Sequence, residues 1–223
     1  IFTGSKSSAC SNTWNKNLCR TILNENSINT PNSILLNNLK NCSNNPFDCF
    51  EKKFGYKPNL FMKPCEDGSS IDIFKISNDE DYKKAKLNCL NLEREFIFEE
   101  DIGGREFTVT IIGNKCYPVI EIKTQNDFYD YDAKYISDDT ILDQAKLSDN
   151  ELNIINDIAL RAFHALKCSG WARVDIIQDI NGNFNVVEIN TVPGMTSHSC
   201  VPKSASFMGL SYQDVIKEIL SNV

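Results

Sequence analysis

With 223 residues, 41% of them hydrophobic and 24% charged, the chain has the composition of an ordinary globular protein, long enough for one large domain or two modest ones. Its formal net charge of −7 argues against a nucleic-acid-binding surface, which wants a basic face. No apolar run approaches the roughly eighteen residues that a membrane helix needs. The nine cysteines are odd in number and include no C-x-x-C pair, so they read as thiols in a reducing cytoplasm rather than a zinc or disulfide framework. The start at Ile1 carries no charged and apolar leader, which predicts no signal peptide and fits a trimmed N-terminus.

In chain order, "TWNKNLCRTILN" places Trp14, Leu18 and Ile22 at four-residue intervals, which predicts an amphipathic helix over 13–24. "INTPNSILL" reads as a loop feeding a strand, and "NLFMKPC" as a short strand stopped by Pro64. The turn-rich "EDGSS" leads into another strand, "IDIFKI". "NDEDYKKAKLNCLNL" is helical in composition and "EFIFEED" is again a strand. After Gly103-Gly104, "REFTVTIIGNKCYPVIEIK" holds two alternating runs joined at Gly113-Asn114, a hairpin signal. "QNDFYDYDAKYISDDT" has no clear period and is expected to be an ordered loop.

In "LSDNELNIINDIALRAFHALKC", Ser148 followed by Glu151 is a capping box, since each side chain can satisfy the other's free backbone N–H. Leu152, Ile155, Ala159, Ala162 and Leu166 are expected to line its buried face, while His164 reads as a plain, partly exposed histidine. The chain ends in a second hairpin and a helix, "SYQDVIKEIL". Mixed strands and helices with hairpins predict an α+β fold, with a seam dividing 1–98 from 99–223.

The second hairpin, "WARVDIIQDINGNFNVVEIN", carries the sharpest chemical signal. Asn181-Gly182 favours a two-residue turn, which would place Asp175 opposite Glu188 and Arg173 opposite Asn190. A three-residue bulged loop would shift that register by one. Side chains two apart share a face, so Arg173, Asp175, Glu188 and Asn190 form one polar quartet, with Val174, Ile176, Val187 and Ile189 expected on the buried side. Facing carboxylates repel by up to about 1 kcal/mol when solvated, which calls for a cation between them. Two carboxylates and an amide are hard oxygen donors suited to Mg²⁺, with room left for phosphate oxygens. The other reading of the same residues is a solvated polar face with Arg173 or a lysine as counter-ion.

Lys63 closes an otherwise apolar strand, either snorkelling to solvent or reaching a phosphate. "DGSS" supplies Gly68, Ser69 and Ser70, suited either to a plain turn or to wrapping backbone N–H groups round a phosphate. No G-x-x-x-x-G-K-[ST], G-x-S-x-G or H-E-x-x-H motif is present.

Taken together, "TGS" (3–5), "MKP" (62–64), "EDGSS" (66–70), "REFTV" (105–109), "FYDYDAKYISDDT" (128–140), "GWARVD" (170–175) and "EINTVPGMTSHS" (188–199) resemble the ATP-grasp ligases, and among them the D-alanine–D-alanine ligase family. The resemblance spans nearly the whole chain. It implies two subdomains with mixed or antiparallel sheets clasping ATP. Lys16 and Lys63 match lysines on the nucleotide phosphates, alongside the turn at Gly68, Ser69 and Ser70. Glu99, Glu100, Asp101 and Ile102 match the hinge that meets adenine, and Glu106 the ribose-binding glutamate. Lys134 matches a loop lysine that reaches the γ-phosphate and substrate, and Tyr129 lies in the same substrate-binding loop.

Asp175, Glu188 and Asn190 match the ligands of magnesium, expected as two ions with Mn²⁺ as a substitute. Arg173 and the backbone at Gly194 match groups that stabilise a tetrahedral intermediate. Ser199 matches the residue holding the second substrate's carboxylate, and Ser69 with Tyr135 the support around the first.

The implied reaction joins two D-alanines through an acyl phosphate for peptidoglycan synthesis, in a bacterial cytoplasm, without nucleic acid or membrane, in a homodimer. The family's further N-terminal α/β domain is expected upstream of Ile1. Two departures stand out: Ile71-Asp72 replaces the frequent Val-Gly, putting a carboxylate beside the phosphate turn, and "ILDQAKLSD" lacks the Cys-Pro that often follows "SDDT". The competing expectations are a non-catalytic nucleotide-binding module and a different ATP-grasp ligase of the glutathione-synthetase kind.

Overall fold

A computed structural model describes residues 2–68, 71–124 and 140–222, which group into two compact units. One unit comprises Trp14–Asn17 and Pro31–Ile102; the other comprises Ile1–Thr13, Leu18–Thr30 and Gly103–Val223. The units interleave, where the sequence suggested one cut after residue 98. The physical reason is hydrophobic: Ala9, Cys19, Leu23 and Ile28 are built into the same core as Val109, Phe163 and Val174.

The smaller unit holds strands β1 (Ser33–Asn37), β2 (Leu60–Pro64), β3 (Phe74–Ile76) and β4 (Glu95–Glu100), and helices α3 (Pro46–Phe54) and α4 (Asp79–Asn88). Its strands pair antiparallel in the order β1-β4-β2-β3. Helix α3, absent from the sequence expectations, starts because Asn45 accepts the Phe47 and Asp48 N–H groups ahead of Pro46. It stops at Gly55, whose φ of 86° suits the left-handed cap. Asn78 caps α4 in the same way. Leu60, Met62, Ile76, Phe96 and Phe98 turn one sheet face toward Phe47, Phe50, Tyr82 and Ala85 of the helices. Strand alternation therefore leaves Phe61, Lys63, Lys75 and Glu99 on the opposite face.

In the larger unit β5 (Arg105–Ile112), β7 (Ile120–Lys123), β8 (Ile141–Gln144), β9 (Trp171–Gln178) and β10 (Phe184–Asn190) form an antiparallel sheet in the order β10-β9-β5-β7-β8. A short strand β6 (Lys115–Cys116) pairs with β5 around the expected turn at Gly113 and Asn114. The expected first helix is two helices, α1 (Ser7–Trp14) and α2 (Lys16–Glu25), because Asn15 leaves the helical path to bridge Glu66. That break resets the helical phase. Cys19, Arg20 and Leu23 face inward, whereas Trp14 and Leu18 are exposed.

Helix α5 (Asp149–Ala165) begins with the expected capping box of Ser148 and Glu151. Its buried face is Ile155, Ile158, Ala159, Ala162 and Phe163; Leu152, expected there, is exposed because it lies in the first turn. These residues cover the sheet face built from Phe107, Val109, Ile111, Val174, Ile176, Val186 and Ile189. Two further helices, α6 (Cys200–Ser206) and α7 (Tyr212–Ser221), pack with Ile112, Tyr117 and Trp171 on the other face.

All nine cysteines are free. Burial pushes the Cys65 and Cys116 thiols up to about 11 and Cys168 up to about 12, so they are protonated, packing side chains at neutral pH. Among the described residues no helix is long and apolar enough to cross a membrane.

Candidate functional site

The hairpin that carries the quartet reaches the expected pairing by a different path. Gly182 donates its N–H to the Asp179 carbonyl over 3.0 Å, and Asp179 donates to Asn183 over 2.9 Å. This leaves a three-residue loop, with Gly182 at φ 86°. The Asp179 carboxylate holds the loop by accepting the Asn181 and Asn183 N–H groups over 2.9 and 2.8 Å. Near the loop Val186 pairs with Ile176; farther out Glu188 pairs with Asp175 and Asn190 with Arg173. Val187 is the extra residue of a bulge between them, so a one-residue offset at the loop is cancelled by a second on β10. On the core face Val186, rather than the expected Val187, is buried.

On the quartet's face, β5 lies beside β9 with Thr108 opposite Asp175 and Thr110 opposite Arg173. Asp175 Oδ1 accepts the Thr108 hydroxyl over 2.6 Å and Arg173 Nε over 2.9 Å, while Oδ2 accepts Arg173 Nη2 over 2.8 Å. Glu188 Oε1 stands 4.0 Å from the same Nη2. The two side chains of the pair are 15% and 11% exposed and Glu188 is 39% exposed, so the pair is withdrawn from water while Glu188 opens to it. Burial works against the Arg173 charge, but the charge and hydrogen bonds of Asp175, with Cys200 and Glu188 beside it, outweigh burial and hold the guanidinium pKa above its ordinary value.

Asn190 Oδ1 accepts the Val192 N–H over 3.1 Å, which fixes the amide at the end of β10. Beyond it, Ser199 Oγ accepts the Thr196 N–H over 3.0 Å and lies 2.9 Å from Thr196 Oγ1. A Cβ at Gly194 would meet that Oγ at 2.9 Å, so glycine allows the two segments their approach.

In the smaller unit, Lys63 Nζ lies 2.5 Å from Glu99 Oε1, with side chains only 12% and 3% exposed. Lys63 and Lys75 also stand 5.1 and 5.8 Å from the Phe61 ring centroid, and Lys75 pairs with Asp101 at 2.8 Å. Lys16 donates its ammonium to the Asp67 carbonyl over 2.6 Å and its backbone N–H to the Cys65 carbonyl over 2.8 Å, which sets it against the segment just before Gly68. In the segment expected to form the hinge, Glu100 accepts the Tyr56 hydroxyl over 2.7 Å, and Ile102 is half-buried.

Lys16, Lys63, Gly68 and Glu99–Ile102 thus belong to one unit, and Glu106, Arg173, Asp175, Glu188, Asn190, Gly194 and Ser199 to the other. Ser69, Ser70, Tyr129, Lys134 and Tyr135 lie outside the described residues, as does nearly all of the expected loop "QNDFYDYDAKYISDDT". A surface cleft of about 480 Å³ beside Asn45, Lys57 and Asn78 touches none of the expected site residues.

Two participants escaped the sequence reading. Thr108 could have been found, because alternation along "REFTV" puts it on the face of Glu106. Arg94, which pairs with Asp67 and Asp72, had no local signal, since its partners are 27 and 22 residues away.

Comparison with known proteins supplies the family. The description "D-ala D-ala ligase C-terminus" matches residues 22–221. A D-alanine–D-alanine ligase from Mannheimia succiniciproducens is 40% identical over 162 residues, 72% of this chain and 53% of that protein. One from a Marinomonas species is 38% identical over 99% of this chain and 68% of its own length. The chain therefore spans between about half and two thirds of these curated relatives.

Among solved structures, D-alanine–D-alanine ligase from Bacillus anthracis superposes with a TM-score of 0.84 at 32% identity, over 98% of this chain and 70% of that one. The same enzyme complexed with ATP gives 0.81 at 28% identity, over 98% and 68%. The antiparallel sheets described above are those of an ATP-grasp fold, and the chain belongs to the D-alanine–D-alanine ligase C-terminal family.

Proposed function

We propose that this chain is the ATP-binding and catalytic part of a bacterial D-alanine–D-alanine ligase, acting in the cytoplasm on peptidoglycan precursors. The N-terminal α/β domain that the family resemblance implies would complete the pocket for the first D-alanine, and the assembled enzyme would be a homodimer. The observation that carries the reading is the pairing of Asp175 with Glu188 on one sheet face, between Arg173 and Asn190.

The donor set fits a hard divalent cation: carboxylate oxygens from adjacent strands, and an amide oxygen already oriented by Val192. Asp175, Glu188 and Asn190 would hold Mg²⁺, as two ions with Mn²⁺ as a substitute. When bound, the metal neutralises phosphate charge and aligns the phosphoryl group.

The protein's own groups would do the rest. Lys16 and Lys63 would neutralise the phosphates, and the turn at Gly68, Ser69 and Ser70 would wrap them with backbone N–H groups. Glu99, Glu100, Asp101 and Ile102 would meet adenine, and Glu106 the ribose. The carboxylate of one D-alanine attacks the γ-phosphoryl group of ATP, releasing ADP and giving an acyl phosphate. The amine of the second D-alanine then attacks the acyl carbon and expels phosphate.

Negative charge grows on the acyl oxygen at that step. Arg173 and a backbone N–H at Gly194 would meet it, a contribution commonly of about 3 kcal/mol per donor. Ser199 would hold the second substrate's carboxylate. Tyr129, Lys134, and Ser69 with Tyr135 would complete the substrate contacts and help keep water from the acyl phosphate.

The experiment is a thermal scan with and without Mg-ATP. The nucleotide should raise the melting temperature, and Glu188→Gln should remove most of the rise; an undiminished rise in the variant would sink the metal assignment. Activity is read separately as D-alanine-dependent phosphate release, with and without a supplied N-terminal domain.

A further inference from the structure

We propose that Arg94 acts as a clasp beside the nucleotide phosphates: its guanidinium ties Asp67 to Asp72, and through Asp67, whose carbonyl receives the Lys16 ammonium, this tie promotes nucleotide binding. The inference rests on the nucleotide-binding reading given above.

The geometry is that of a two-ended clasp. One Nη of Arg94 pairs with Asp67 Oδ2 and the other with Asp72 Oδ2. A planar guanidinium presents its donors in a fixed fork, so it can hold both partners at a set separation, which the point charge of a lysine cannot. Between the two partners, the Ile71 N–H donates to the Gly68 carbonyl over 3.3 Å. Arg94 is itself anchored, because its carbonyl accepts the Asn38 N–H over 3.2 Å and its guanidinium lies 5.5 Å from the Phe96 ring centroid.

The Asp72 end shows that the clasp is built. Asp72 has a φ of 54°, a left-handed conformation rare for a residue with a side chain. In that conformation its carboxylate is only 5% exposed and accepts the Leu90 N–H over 3.2 Å, with the Cys89 thiol at 3.5 Å. The carboxylate that Asp72 introduces here is thus buried against the Arg94 guanidinium and the Leu90 N–H. At the other end, the carbonyl of Asp67 receives the Lys16 ammonium over 2.6 Å. Asp67 therefore links Arg94, through its side chain, to a lysine expected on the phosphates, through its backbone.

Asp67→Asn makes the test, because two explanations predict opposite signs. Its side chain is 36% exposed, so the fold should tolerate the change. If Asp67 acts only through its charge, removing a negative group near the triphosphate tightens ATP binding. If it acts as one end of the clasp, binding weakens.

The measurement is calorimetric titration of the chain with ATP in excess Mg²⁺, and with adenosine as a probe lacking phosphates. Weakening of ATP by about fivefold (roughly 1 kcal/mol), with adenosine affinity unchanged, is the expected result. Arg94→Lys should weaken ATP by a similar factor. Equal or tighter ATP binding by Asp67→Asn overturns the proposal, as does equal loss of ATP and adenosine. If the unsubstituted chain binds no ATP, the nucleotide reading itself falls and the clasp with it. ATP binding that survives both substitutions removes the clasp alone.

Discussion

Arg173 grips Asp175 from two residues earlier on the same strand, with two hydrogen bonds of 2.9 and 2.8 Å to the two carboxylate oxygens. Successive odd positions of β9 point to one face, so "RVD" brings the pair together with almost no loss of backbone freedom. Both groups are largely withdrawn from water. Their attraction mostly repays desolvation, and the pair matters to stability chiefly when one member is missing.

Asp175→Asn leaves the guanidinium buried beside Glu188, which stands 4.0 Å off and keeps more solvent. Removing one partner of a buried pair costs about 3 kcal/mol or more. The variant is expected to lose about that much unfolding free energy in urea titration, with an unchanged m-value. A loss below about 1 kcal/mol would show Glu188 able to take over as the anion.

Thr108 is the third party to this arrangement. Its hydroxyl, 2.6 Å from Asp175 Oδ1, helps fix the plane of the carboxylate that Arg173 grips. Thr108→Val keeps the shape and deletes the donor. Hydrogen bonds to charged groups contribute about 1.5–3 kcal/mol, so a loss of about 2 kcal/mol is expected, with Thr108→Ser recovering most of it. On the proposed metal assignment, Mn²⁺ binding, followed by electron paramagnetic resonance, should weaken on the order of tenfold in the valine variant, as when a partner that orients a metal ligand is lost. Unaltered Mn²⁺ affinity in a destabilised variant would confine Thr108 to a structural role.

The hairpin shows why parts of this site were legible in the sequence. A period of two in "RVD" and "EIN" fixes which residues share a face, whatever the loop does, and the cross-strand pairs emerged correctly. They did so although the turn is not the one that Asn181-Gly182 suggests. The Asp179 carboxylate stabilises a three-residue loop, and the bulge at Val187 returns the lost residue. Bulges leave no local signature, so Val187 was assigned to the core that Val186 fills. The break at Asn15 was hidden for a related reason, since its cause is a bridge to Glu66, 51 residues on. The capping box of Ser148 and Glu151 was readable because both partners lie within one turn of helix.

A pH dependence follows from the ion pair at the far side of the same sheet. Arg105 donates from Nε to Glu121 over 2.8 Å, and that hydrogen bond holds the Glu121 carboxyl below its ordinary value of 4.5, against a smaller opposing effect of burial. In the unfolded chain the group would take up a proton near 4.5; in the fold it resists until lower pH. Between those values the unfolded state binds more protons, so stability rises with pH there. The contribution is complete above about 4.5 and fades as pH falls through the folded value. Because the Arg105 side chain is 40% exposed, screening limits the pair to about 0.5–1 kcal/mol. Urea midpoints measured from pH 6 down to 3 should fall less steeply in Glu121→Gln than in the unsubstituted chain, with the two curves converging at the acid end. Parallel curves would assign the acid sensitivity to other carboxylates.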